Sequence, residues 1–386
     1  MKIGIFTDTF YPEINGVATS CLTLERELTR LGHEVHVFAP RCKGWEEHAR
    51  DNVHYIASAP LVVLKDRNVA FPGPIESHFA KNLHFDVVHT NSEFVMGIFG
   101  RRVAEKLGCA LVHTYHTVWE DYTYYVTHGV ADETARKIAR RYSRWWCDAF
   151  GRVIVPTGKT RDLLLRYGVS SPIDVIPSGM DLSRFSPERH DASQQQKTRE
   201  ECGVRPGERV LLNLGRLAKE KNIDQVMRVF PRLHELLPDV RFVLVGEGPM
   251  REELGRQAAQ LGVADSVTLT GPKPWEEIDR YYAMGDVFVS TSHSETQGLT
   301  YIEAMASGLC VCAAKDPCLD GVIEDGVNGV LCGDSDDELL AALLRAFSDE
   351  GRRIADAAPA GAQAFGMESF ARRVEACYQK SISGEA

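Results

Sequence analysis

The sequence predicts an α/β protein of two doubly wound, Rossmann-like domains that face one another across a cleft. Short apolar strands alternate with helical segments in each half of the chain, which is typical of parallel sheets covered by helices on both faces. A polar stretch, "ERHDASQQQKTREE", separates the two series of strands and is predicted to be the linker. The chain has 386 residues, and single hydrophobic cores usually stop growing below that length.

Each half of the chain contains five predicted strands. Those of the first half are "KIGIFTD", "EVHVFAP", "DVVHT", "ALVHTYH" and "RVIVPT". Those of the second half are "RVLLNLG", "RFVLVGEG", "SVTLTG", "DVFVSTS" and "CVCAA". After the first strand, the pattern predicts a helix from about Ala18 to Leu31, ended by Gly32.

We therefore expect an N-terminal domain over residues 1–185 and a C-terminal domain over residues 186–365. The remaining residues, 366–386, are predicted to form a helix that packs back on the N-terminal domain. In doubly wound sheets, ligands bind at the carboxyl ends of the strands, where loops lead into helices. Site residues are therefore expected in those loops.

Composition and targeting signals indicate an intracellular globular protein. Hydrophobic residues make up 44% of the chain and charged residues 25%, both ordinary values. No apolar run approaches the roughly 18 residues that cross a bilayer, and the N-terminus lacks the apolar centre of a signal peptide. The ten cysteines show no zinc-like spacing and are interpreted as small buried residues.

The net charge of −10 is unevenly distributed. Residues 1–186 hold 22 basic and 21 acidic residues, whereas residues 187–386 hold 22 and 33. The acidic second half argues against a nucleic-acid partner. The near-neutral first half leaves room for a local basic surface.

The segment "NLGRLAKEKN" places Arg216 and Lys221 directly after an apolar strand. An arginine offers a planar fork of donors and a lysine a mobile point charge, a combination that suits a diphosphate. The alternative is a solvated basic loop. The neighbouring segments decide between the two.

The segment "SETQGLTYIEAMASG" predicts a loop with Glu295 and Gly298, followed by a helix that contains Glu303. The first turn of this helix has no acidic residue, so its free N–H groups are available to an anion. Helical side chains lean toward the N-terminus, so Glu303 can face a ligand at that end. An ionised carboxylate suits the adjacent hydroxyls of a ribose, and Glu295 would face the group beyond the diphosphate. Together with Arg216 and Lys221, the pattern indicates a nucleotide sugar.

Two other motifs are interpreted structurally. "GEGPM" begins like a dinucleotide fingerprint, but Arg251 replaces the third glycine, so a nicotinamide dehydrogenase is weakly supported. Gly246 and Gly248 still allow a tight turn and a close ligand approach. "GDSDDE" at 333–338 contains a D-x-D sequence, which is interpreted as a helix cap rather than a metal site.

These segments resemble the retaining family 4 glycosyltransferases of GT-B fold. "SETQGLTYIEAMASG" resembles the E-x7-E motif of that family, and "GRLAKEKN" its phosphate loop. "FYPEINGVATS", "IPSGMDLSRFSP" and "VLVGEGP" resemble the first-strand glycine loop, the interdomain segment and the loop beside the base. The resemblance covers nearly the whole chain, with the motifs in the family's order.

The resemblance implies a role for each matching residue. Glu303 would hold the ribose, Arg216 and Lys221 the diphosphate, and Glu295 the sugar hydroxyls. His116, in "TYHTVWEDY", occupies the place of the family's active-site histidine, which contacts the transferred sugar. The implied catalytic set is His116, Arg216, Lys221 and Glu295. Further implied substrate contacts are Gly16, Gly248, Lys273, Thr296, Gln297, Gly298 and Leu299.

Several features are similar to the diacylglycerol 3-glucosyltransferases in particular. Many family members have a phenylalanine at the position of Gln297, whereas "SETQGLT" is typical of a lipid-glucosylating branch. "NGVATS" and "YHTVWEDYTYYV" also resemble that branch. A basic aromatic helix predicted over residues 136–152, "RKIARRYSRWWCDAFGR", would bind an anionic membrane surface. Alternatively, its aromatic side chains pack inward and its arginines face water.

We therefore expect a metal-independent enzyme without a cofactor, at the inner face of the cell membrane. It would transfer a hexose, glucose from UDP-glucose in the favoured interpretation, to a diacylglycerol-type lipid with retention of configuration. Alternatives are a family 4 enzyme with another acceptor or donor, such as phosphatidylinositol, a polysaccharide or GDP-mannose. A nucleotide-sugar epimerase of the same fold and a non-catalytic nucleotide-sugar-binding protein also remain open.

Overall fold

The computed structural model describes residues 1–13, 15–60, 68–116, 119, 132–293, 295 and 297–385. The chain divides into two compact units. The first comprises Met1–Met180 together with Met367–Ala386, and the second comprises Asp181–Gly366. In the described part of the chain, no helix is both long and apolar enough to span a membrane.

A parallel sheet organises the first unit. Its strands are β1 (Lys2–Phe6), β2 (Glu34–Pro40), β3 (Val53–Ile56), β6 (Val87–Thr90), β7 (Ala110–Thr114), β8 (Arg152–Val155) and β9 (Ile173–Val175). A separate antiparallel pair consists of β4 (Ser58–Pro60) and β5 (Asn68–Ala70). The order in the sheet is β3-β2-β1-β6-β7-β8-β9. The winding direction therefore reverses between β1 and β6, a position where doubly wound folds bind ligands.

The helices of this unit up to residue 180 are α1 (Gly16–Arg30), α2 (Pro74–Asn82), α3 (Val95–Leu107), α4 (Asp132–Cys147) and α5 (Gly158–Arg166). The helix α1 begins two residues before the predicted start because Asn15 caps it. The Asn15 side chain accepts a hydrogen bond from the Ala18 N–H at 3.0 Å. Caps of this kind satisfy one of the unpaired N–H groups of a first helical turn.

A second parallel sheet organises the second unit. Its strands are β10 (Arg209–Leu214), β11 (Val240–Val245), β12 (Val267–Leu269), β13 (Val287–Ser290), β14 (Cys310–Ala314) and β15 (Val330–Cys332). They are ordered β12-β11-β10-β13-β14-β15. The direction reverses between β10 and β13, so the loops after these two strands meet at one edge of the sheet.

The helices of the second unit are α6 (Ala192–Glu201), α7 (Ile223–Leu236), α8 (Arg251–Gln260), α9 (Ile278–Ala283), α10 (Leu299–Ala306), α11 (Asp336–Ala346) and α12 (Asp349–Ala362). The motif at 333–338 caps a helix, as predicted. The cap is Ser335, whose hydroxyl accepts from the Glu338 N–H, while the aspartates lie in the first turn of α11.

The polar stretch that was predicted to be a linker lies inside the second unit and does not join the two units, so that prediction is wrong. Most of the stretch is helical. It contains α6, which opens with a capping box: Asp191 accepts from the Gln194 N–H at 2.8 Å, and the Gln194 side chain accepts from the Asp191 N–H at 2.9 Å. Just before the helix, Arg189 and His190 bind Asp279 at 2.8 and 3.1 Å. The capping box and these ion pairs stabilise α6, although its polar sequence has no large apolar face.

The second unit begins at Asp181, five residues before the boundary that the sequence suggested. The following turn, Leu182–Phe185, buries Leu182 and Phe185. The Phe185 ring lies edge-on to Tyr282 of α9, with ring centroids 5.6 Å apart. These contacts attach the turn to the second unit.

A last helix, α13 (Met367–Ser383), belongs to the first unit. It packs against α1 and buries Phe370, Val374 and Tyr378 in a core that also contains Ile3 and Leu24. Nine of the ten cysteines are buried, as expected for small apolar side chains. The two doubly wound α/β units confirm the predicted fold class.

Candidate active site

A cavity of about 470 Å³ lies where the loops after β10 and β13 meet. Its lining includes Gly215, Arg216, Lys221, Ser290, Glu295 and Thr300. The strand end, the loop and the helix α10 therefore contribute to one cavity, which brings together the predicted site residues Arg216, Lys221 and Glu295. This position is the reversal point of the second sheet, where ligands are expected.

Lys221 and Glu295 form an ion pair inside this cavity. The Lys221 ammonium donates to Oε1 of Glu295 at 2.6 Å, and the two side chains are 28% and 18% exposed. Lys221 ends a short turn, Lys219–Lys221, after which Asn222 adopts a left-handed conformation with φ of 51°. Because the pair is partly shielded from water, its attraction is stronger than that of an exposed pair. The predicted phosphate ligand and the predicted sugar ligand are thus held together.

Arg216 is the more exposed member of the predicted phosphate clamp. Its side chain is 68% exposed, and its guanidinium lies 3.8 Å from Glu220. An exposed pair at that distance contributes little to stability. The guanidinium can therefore turn toward an anion in the cavity at small energetic cost.

The helix α10 starts directly at the cavity. Gly298 precedes it with φ of 67°, and no described side chain caps the helix. The first turn has no acidic residue, so the positive end of the helix dipole favours an anion in the cavity. The Tyr301 N–H already donates to the Gly298 carbonyl at 3.1 Å, so an anion would bind at the N–H groups of Leu299 and Thr300. A β-carbon on Gly298 would lie 2.7 Å from the Tyr301 ring, so the glycine is also required by local packing. Leu299 is 45% exposed.

Glu303 lies on the buried face of α10 and is 3% exposed. The Tyr282 hydroxyl donates to its Oε2 at 2.7 Å. Burial raises the pKa of Glu303 to about 7, although the Tyr282 hydrogen bond and the charge of Arg184 act in the opposite direction. The carboxyl group was expected to be simply ionised; the structure places its titration near neutral pH.

The glycines of "GEGPM" serve the protein's own packing. A β-carbon on Gly246 would lie 1.9 Å from the Gly215 carbonyl oxygen, and one on Gly248 would lie 2.2 Å from that of Leu217. These contacts hold the loop after β11 against the loop that carries Arg216. At both positions the neighbouring backbone comes too close for a β-carbon, and the expected ligand contact of Gly248 stays a prediction.

The other predicted contacts of the second unit are placed as follows. Lys273 lies with its ammonium 5.5 Å from the centroid of the Tyr281 ring and does not line the cavity. Gln297 precedes α10 and is half-buried. Thr296 lies outside the described residues.

The first unit holds the remaining two predicted site residues. His116 follows β7, and its Nε2 lies 3.0 Å from Oδ1 of Asn91, which follows β6. Burial, and secondarily the neighbouring His113, lowers the pKa of His116 to about 3, so the imidazole is neutral at physiological pH. Gly16 is the first residue of α1, and a β-carbon there would meet open space.

The basic aromatic helix is shorter than predicted and has two different faces. It spans Asp132–Cys147 rather than 136–152, because the chain turns after Cys147 and Arg152 starts β8. Trp146 is buried and donates from Nε1 to His113 at 3.2 Å, whereas Trp145 is 60% exposed. The aromatic side chains therefore divide between the core and the surface, and neither predicted alternative describes all of them.

The outer face of α4 is basic and partly apolar. A cavity of about 480 Å³ is lined by Arg141, Arg144 and Trp145 together with Asp148. Ile138 is 64% exposed. Arg144 lies 3.6 Å from Asp148, which partly neutralises it.

Sequence reasoning missed Asn91 and Tyr282, which bind the predicted residues His116 and Glu303. Asn91 directly follows a predicted strand, so the strand-end rule that was applied to the second half could also have identified it. Tyr282 lies 21 positions before Glu303 on a different helix. No local pattern connects those two residues.

Two family models match the chain in succession. The model described as Glycosyltransferase Family 4 matches residues 14–184, and that described as Glycosyl transferases group 1 matches residues 194–363. The alpha-monoglucosyldiacylglycerol synthase of Streptococcus pneumoniae is 37% identical over 86% of this chain and 75% of its own length. The synthase of the same name from Acholeplasma laidlawii is 32% identical over 86% and 84%, respectively.

Solved structures share the fold at lower identity. Anabaena Alr3699/HepE in complex with UDP superimposes with a TM-score of 0.72 over 98% of this chain and all of that chain, at 20% identity. The two sheets, the strand-end cavity and these similarities define a glycosyltransferase of GT-B fold. More narrowly, the chain belongs to glycosyltransferase family 4, together with the glucolipid synthases that it matches.

Proposed function

We propose that this enzyme transfers glucose from UDP-glucose to a diacylglycerol, with retention of the anomeric configuration. The observation that carries the proposal is the Lys221–Glu295 pair, 2.6 Å apart, in a cavity at the N-terminus of α10. This arrangement offers cationic and N–H donors to a diphosphate and a carboxylate to sugar hydroxyls. The two relatives named alpha-monoglucosyldiacylglycerol synthase support the acceptor and the sugar.

The donor would bind with its diphosphate at the N–H groups of α10, between Lys221 and Arg216. Arrival of the diphosphate shares the Lys221 ammonium between phosphate and Glu295, which keeps the carboxylate beside the transferred sugar. Glu303 would accept hydrogen bonds from the ribose. Backbone groups of residues 296–299 would complete the contacts to phosphate and sugar.

In the reaction, the bond between the glucose C1 and the diphosphate oxygen breaks while a bond from the acceptor hydroxyl oxygen to C1 forms on the same face. The proton of the acceptor hydroxyl passes to the departing phosphate. The protein's contribution is to stabilise the charge that develops on the leaving diphosphate, through Lys221, Arg216 and the α10 N-terminus. We propose that these cationic groups replace a metal ion and that no cofactor takes part.

A lipid acceptor has to be reached at a membrane surface. We propose that the outer face of α4 provides this contact, because Arg141 and Arg144 lie beside the exposed Trp145, and Ile138 of the same helix is also exposed. Basic residues are attracted to anionic lipids, and aromatic and aliphatic side chains insert at the interface. Binding through α4 would place the enzyme peripherally on the membrane.

A panel of donors and acceptors tests the proposal. The purified enzyme is incubated with labelled UDP-glucose, UDP-galactose or GDP-mannose and with vesicles that contain diacylglycerol or phosphatidylinositol. The expected product is an α-glucosyl diacylglycerol from UDP-glucose, with its anomeric configuration read by NMR. Consumption of a UDP-sugar without a glycolipid product would instead show an epimerase or hydrolase and overturn the proposal.

One relative favours a second candidate. The GDP-mannose-dependent alpha-(1-6)-phosphatidylinositol monomannoside mannosyltransferase of Mycolicibacterium smegmatis is 28% identical over 92% of both chains. For this reason, the panel includes GDP-mannose as a donor and phosphatidylinositol as an acceptor. Product formation from that pair alone would select this candidate.

A further inference from the structure

The turn Leu182–Phe185, near the start of the second unit, packs against both helices that carry the Glu303–Tyr282 contact. It lies against α9, which holds Tyr282, and against α10, which holds Glu303. The turn also carries Arg184, whose side chain is 23% exposed. A largely shielded guanidinium group therefore lies on a turn that packs directly on the helix of the buried Glu303 carboxyl.

Three contacts fix the Arg184 guanidinium in place. It donates to the Trp275 carbonyl oxygen at 2.8 Å, its Cζ lies 4.9 Å from the centroid of the Trp275 ring, and it lies 4.0 Å from the Asp279 carboxylate. Asp279 has two closer partners, because Arg189 and His190 lie 2.8 and 3.1 Å from it. The Trp275 carbonyl and ring carry no net charge. The positive charge of Arg184 is therefore only partly neutralised by its own contacts.

The Glu303 carboxyl lies in surroundings that oppose its ionisation. Burial raises its pKa to about 7, and the groups that act in the opposite direction are the Tyr282 hydroxyl and the charge of Arg184. The helix α12 and the strand β14 also pack against α10, but no ionisable group in their described residues acts on this carboxyl. Within the described ranges, Arg184 is therefore the cation that favours the ionised form.

We propose that Arg184 is a positioning residue of the donor site, whose fixed positive charge keeps Glu303 in the ionised form that accepts hydrogen bonds from the ribose. The effect passes through space rather than through a hydrogen bond, since the hydrogen bond to the carboxyl comes from Tyr282. An arginine suits this role because a guanidinium group stays charged at neutral pH. The inference rests on the proposed function, in which the ribose belongs to a nucleotide donor.

The first test uses the free enzyme and needs no substrate. Carbon-13 NMR of the glutamate side-chain carboxyl groups, assigned with Glu303→Gln, follows the titration of Glu303 directly. In Arg184→Gln, the loss of the cation should raise the midpoint by about 0.5 to 1 pH unit. Arg184→Lys, which keeps the charge, should stay near the wild type. A midpoint that Arg184→Gln leaves unchanged would overturn the inference.

The second test is the affinity for UDP as a function of pH, measured by calorimetry. Because the pKa of Glu303 is about 7, a higher midpoint leaves less of this carboxyl ionised at pH 7. Arg184→Gln should therefore bind UDP about two- to fivefold more weakly than the wild type at that pH. At about pH 9 the carboxyl is ionised in both proteins, so their affinities should agree. An equal loss at all pH values would show that Arg184 only supports the structure and would refute the charge effect.

Arg189→Gln is the matched control for the loss of a positive charge. Arg189 binds the same Asp279 carboxylate and is 51% exposed, but it does not act on Glu303. The midpoint of Glu303 should stay in place in this variant, and a rise equal to that in Arg184→Gln would contradict the specific role of Arg184. Arg184→Met, which keeps an apolar stem against the Trp275 ring, takes the place of Arg184→Gln if the melting temperature of the latter falls.

A double variant checks that the effect acts through the carboxyl. In Glu303→Gln, the additional change Arg184→Gln should cause no further pH-dependent loss of UDP affinity, and such a loss would refute the inference. The proposed function fails separately. A wild-type enzyme that binds no UDP or forms no glucolipid would contradict the proposed transfer, whereas the carboxyl titration in the free enzyme would still test whether Arg184 stabilises the ionised Glu303.

Discussion

The two sheets of this enzyme end in sites of opposite character. At the end of β10 and β13, the second unit presents the Lys221–Glu295 ion pair in a cavity that is partly open to water. At the end of β6 and β7, the first unit presents the neutral His116–Asn91 pair. The fold feature is the same in both units, a strand end at or next to the reversal point of a doubly wound sheet.

The difference follows from the ligands that we assign to each site. A diphosphate carries charge, so the donor site uses cations and a helix N-terminus. The resemblance assigns His116 to the transferred sugar, whose hydroxyl groups carry no charge. The half-buried His116 and the buried Asn91 are both neutral, and such surroundings would penalise an ionic ligand. The same backbone architecture thus supports two kinds of recognition through a few side chains.

Removing the cation of the donor site should have the largest effect. Lys221→Ala should cost at least about 2 kcal/mol of transition-state stabilisation, or roughly a 30-fold loss of kcat/KM, because the leaving diphosphate loses one preorganised partner. Arg216→Ala should behave similarly. Steady-state kinetics with UDP-glucose measure the loss, and circular dichroism confirms the fold.

Lys219→Ala provides the matched control for this change. Lys219 lies two positions earlier, is 75% exposed, and binds Asp224 at 3.3 Å rather than a residue of the cavity. It should keep near-normal activity. Equal losses in the Lys219 and Lys221 variants would mean that the general charge of the loop matters and not the assigned clamp.

The pH dependence of donor binding tests the second carboxylate. Since the pKa of Glu303 is raised to about 7, the group is mostly protonated at pH 6 and mostly ionised at pH 8. If the ionised form holds the ribose, UDP affinity should rise by about tenfold between these pH values. Calorimetric titration of UDP measures the profile, and Glu303→Gln should flatten it.

Tyr282→Phe sharpens this test. The Tyr282 hydroxyl lowers the pKa of Glu303 against the effect of burial, so its removal should move the midpoint of UDP binding to higher pH. Tyr281→Phe is the control, because the Tyr281 hydroxyl binds Arg280 at 2.8 Å and not Glu303. A midpoint that stays in place in Tyr282→Phe would contradict the proposed role of the pair.

Charge on the outer face of α4 should have a smaller, salt-dependent effect. Replacing Arg140, Arg141 and Arg144 by Gln should weaken binding to anionic vesicles by about fivefold at low salt and less at high salt, because the field is screened. UDP binding should be unchanged. Vesicle sedimentation with and without anionic lipid measures the effect.

A control with the same change in charge uses Arg232, Arg256 and Arg353, which are exposed on helices of the second unit. Replacing these three arginines by Gln should not alter vesicle binding. If both triple variants bind vesicles equally well, or if neutral and anionic vesicles bind alike, α4 is an ordinary surface helix.

Addition of a chelator should produce no change at all. We assign stabilisation of the diphosphate to Lys221, Arg216 and the α10 N-terminus, so excess chelator should leave kcat/KM unaltered. Loss of activity that magnesium restores would assign part of this role to a metal ion. It would also remove the contrast between the two strand-end sites.

Much of the fold could be predicted because its signals are local. The apolar strands recur with helical segments between them. The helix α10 follows a strand and then Gly298, a residue type that readily adopts the left-handed conformation found there. The polar segment 188–201 was misassigned because its helix depends on Asp191, Gln194 and contacts to Asp279, which lies far along the chain. Composition alone favours a loop there.

The sequence proposes site residues one by one but does not predict the contacts between them. Lys221 and Glu295 are 74 positions apart. The sequence predicted a separate ligand for each of them and did not predict the ion pair between them. The raised pKa of Glu303 depends on the burial of its helix face, which sequence spacing does not measure. Pairings across strands and shifts in pKa come from tertiary packing, which local patterns leave undetermined.

The return of α13 to the first unit has a consequence for biosynthesis. This helix supplies Phe370, Val374 and Tyr378 to the core around α1, yet it is translated after the whole of the second unit. The second unit is continuous in sequence and has all its strands available when residue 366 leaves the ribosome. The synthesis of the first unit begins earlier, but part of its core stays exposed to solvent until α13 has been translated. Folding during translation should therefore finish in the reverse order of synthesis.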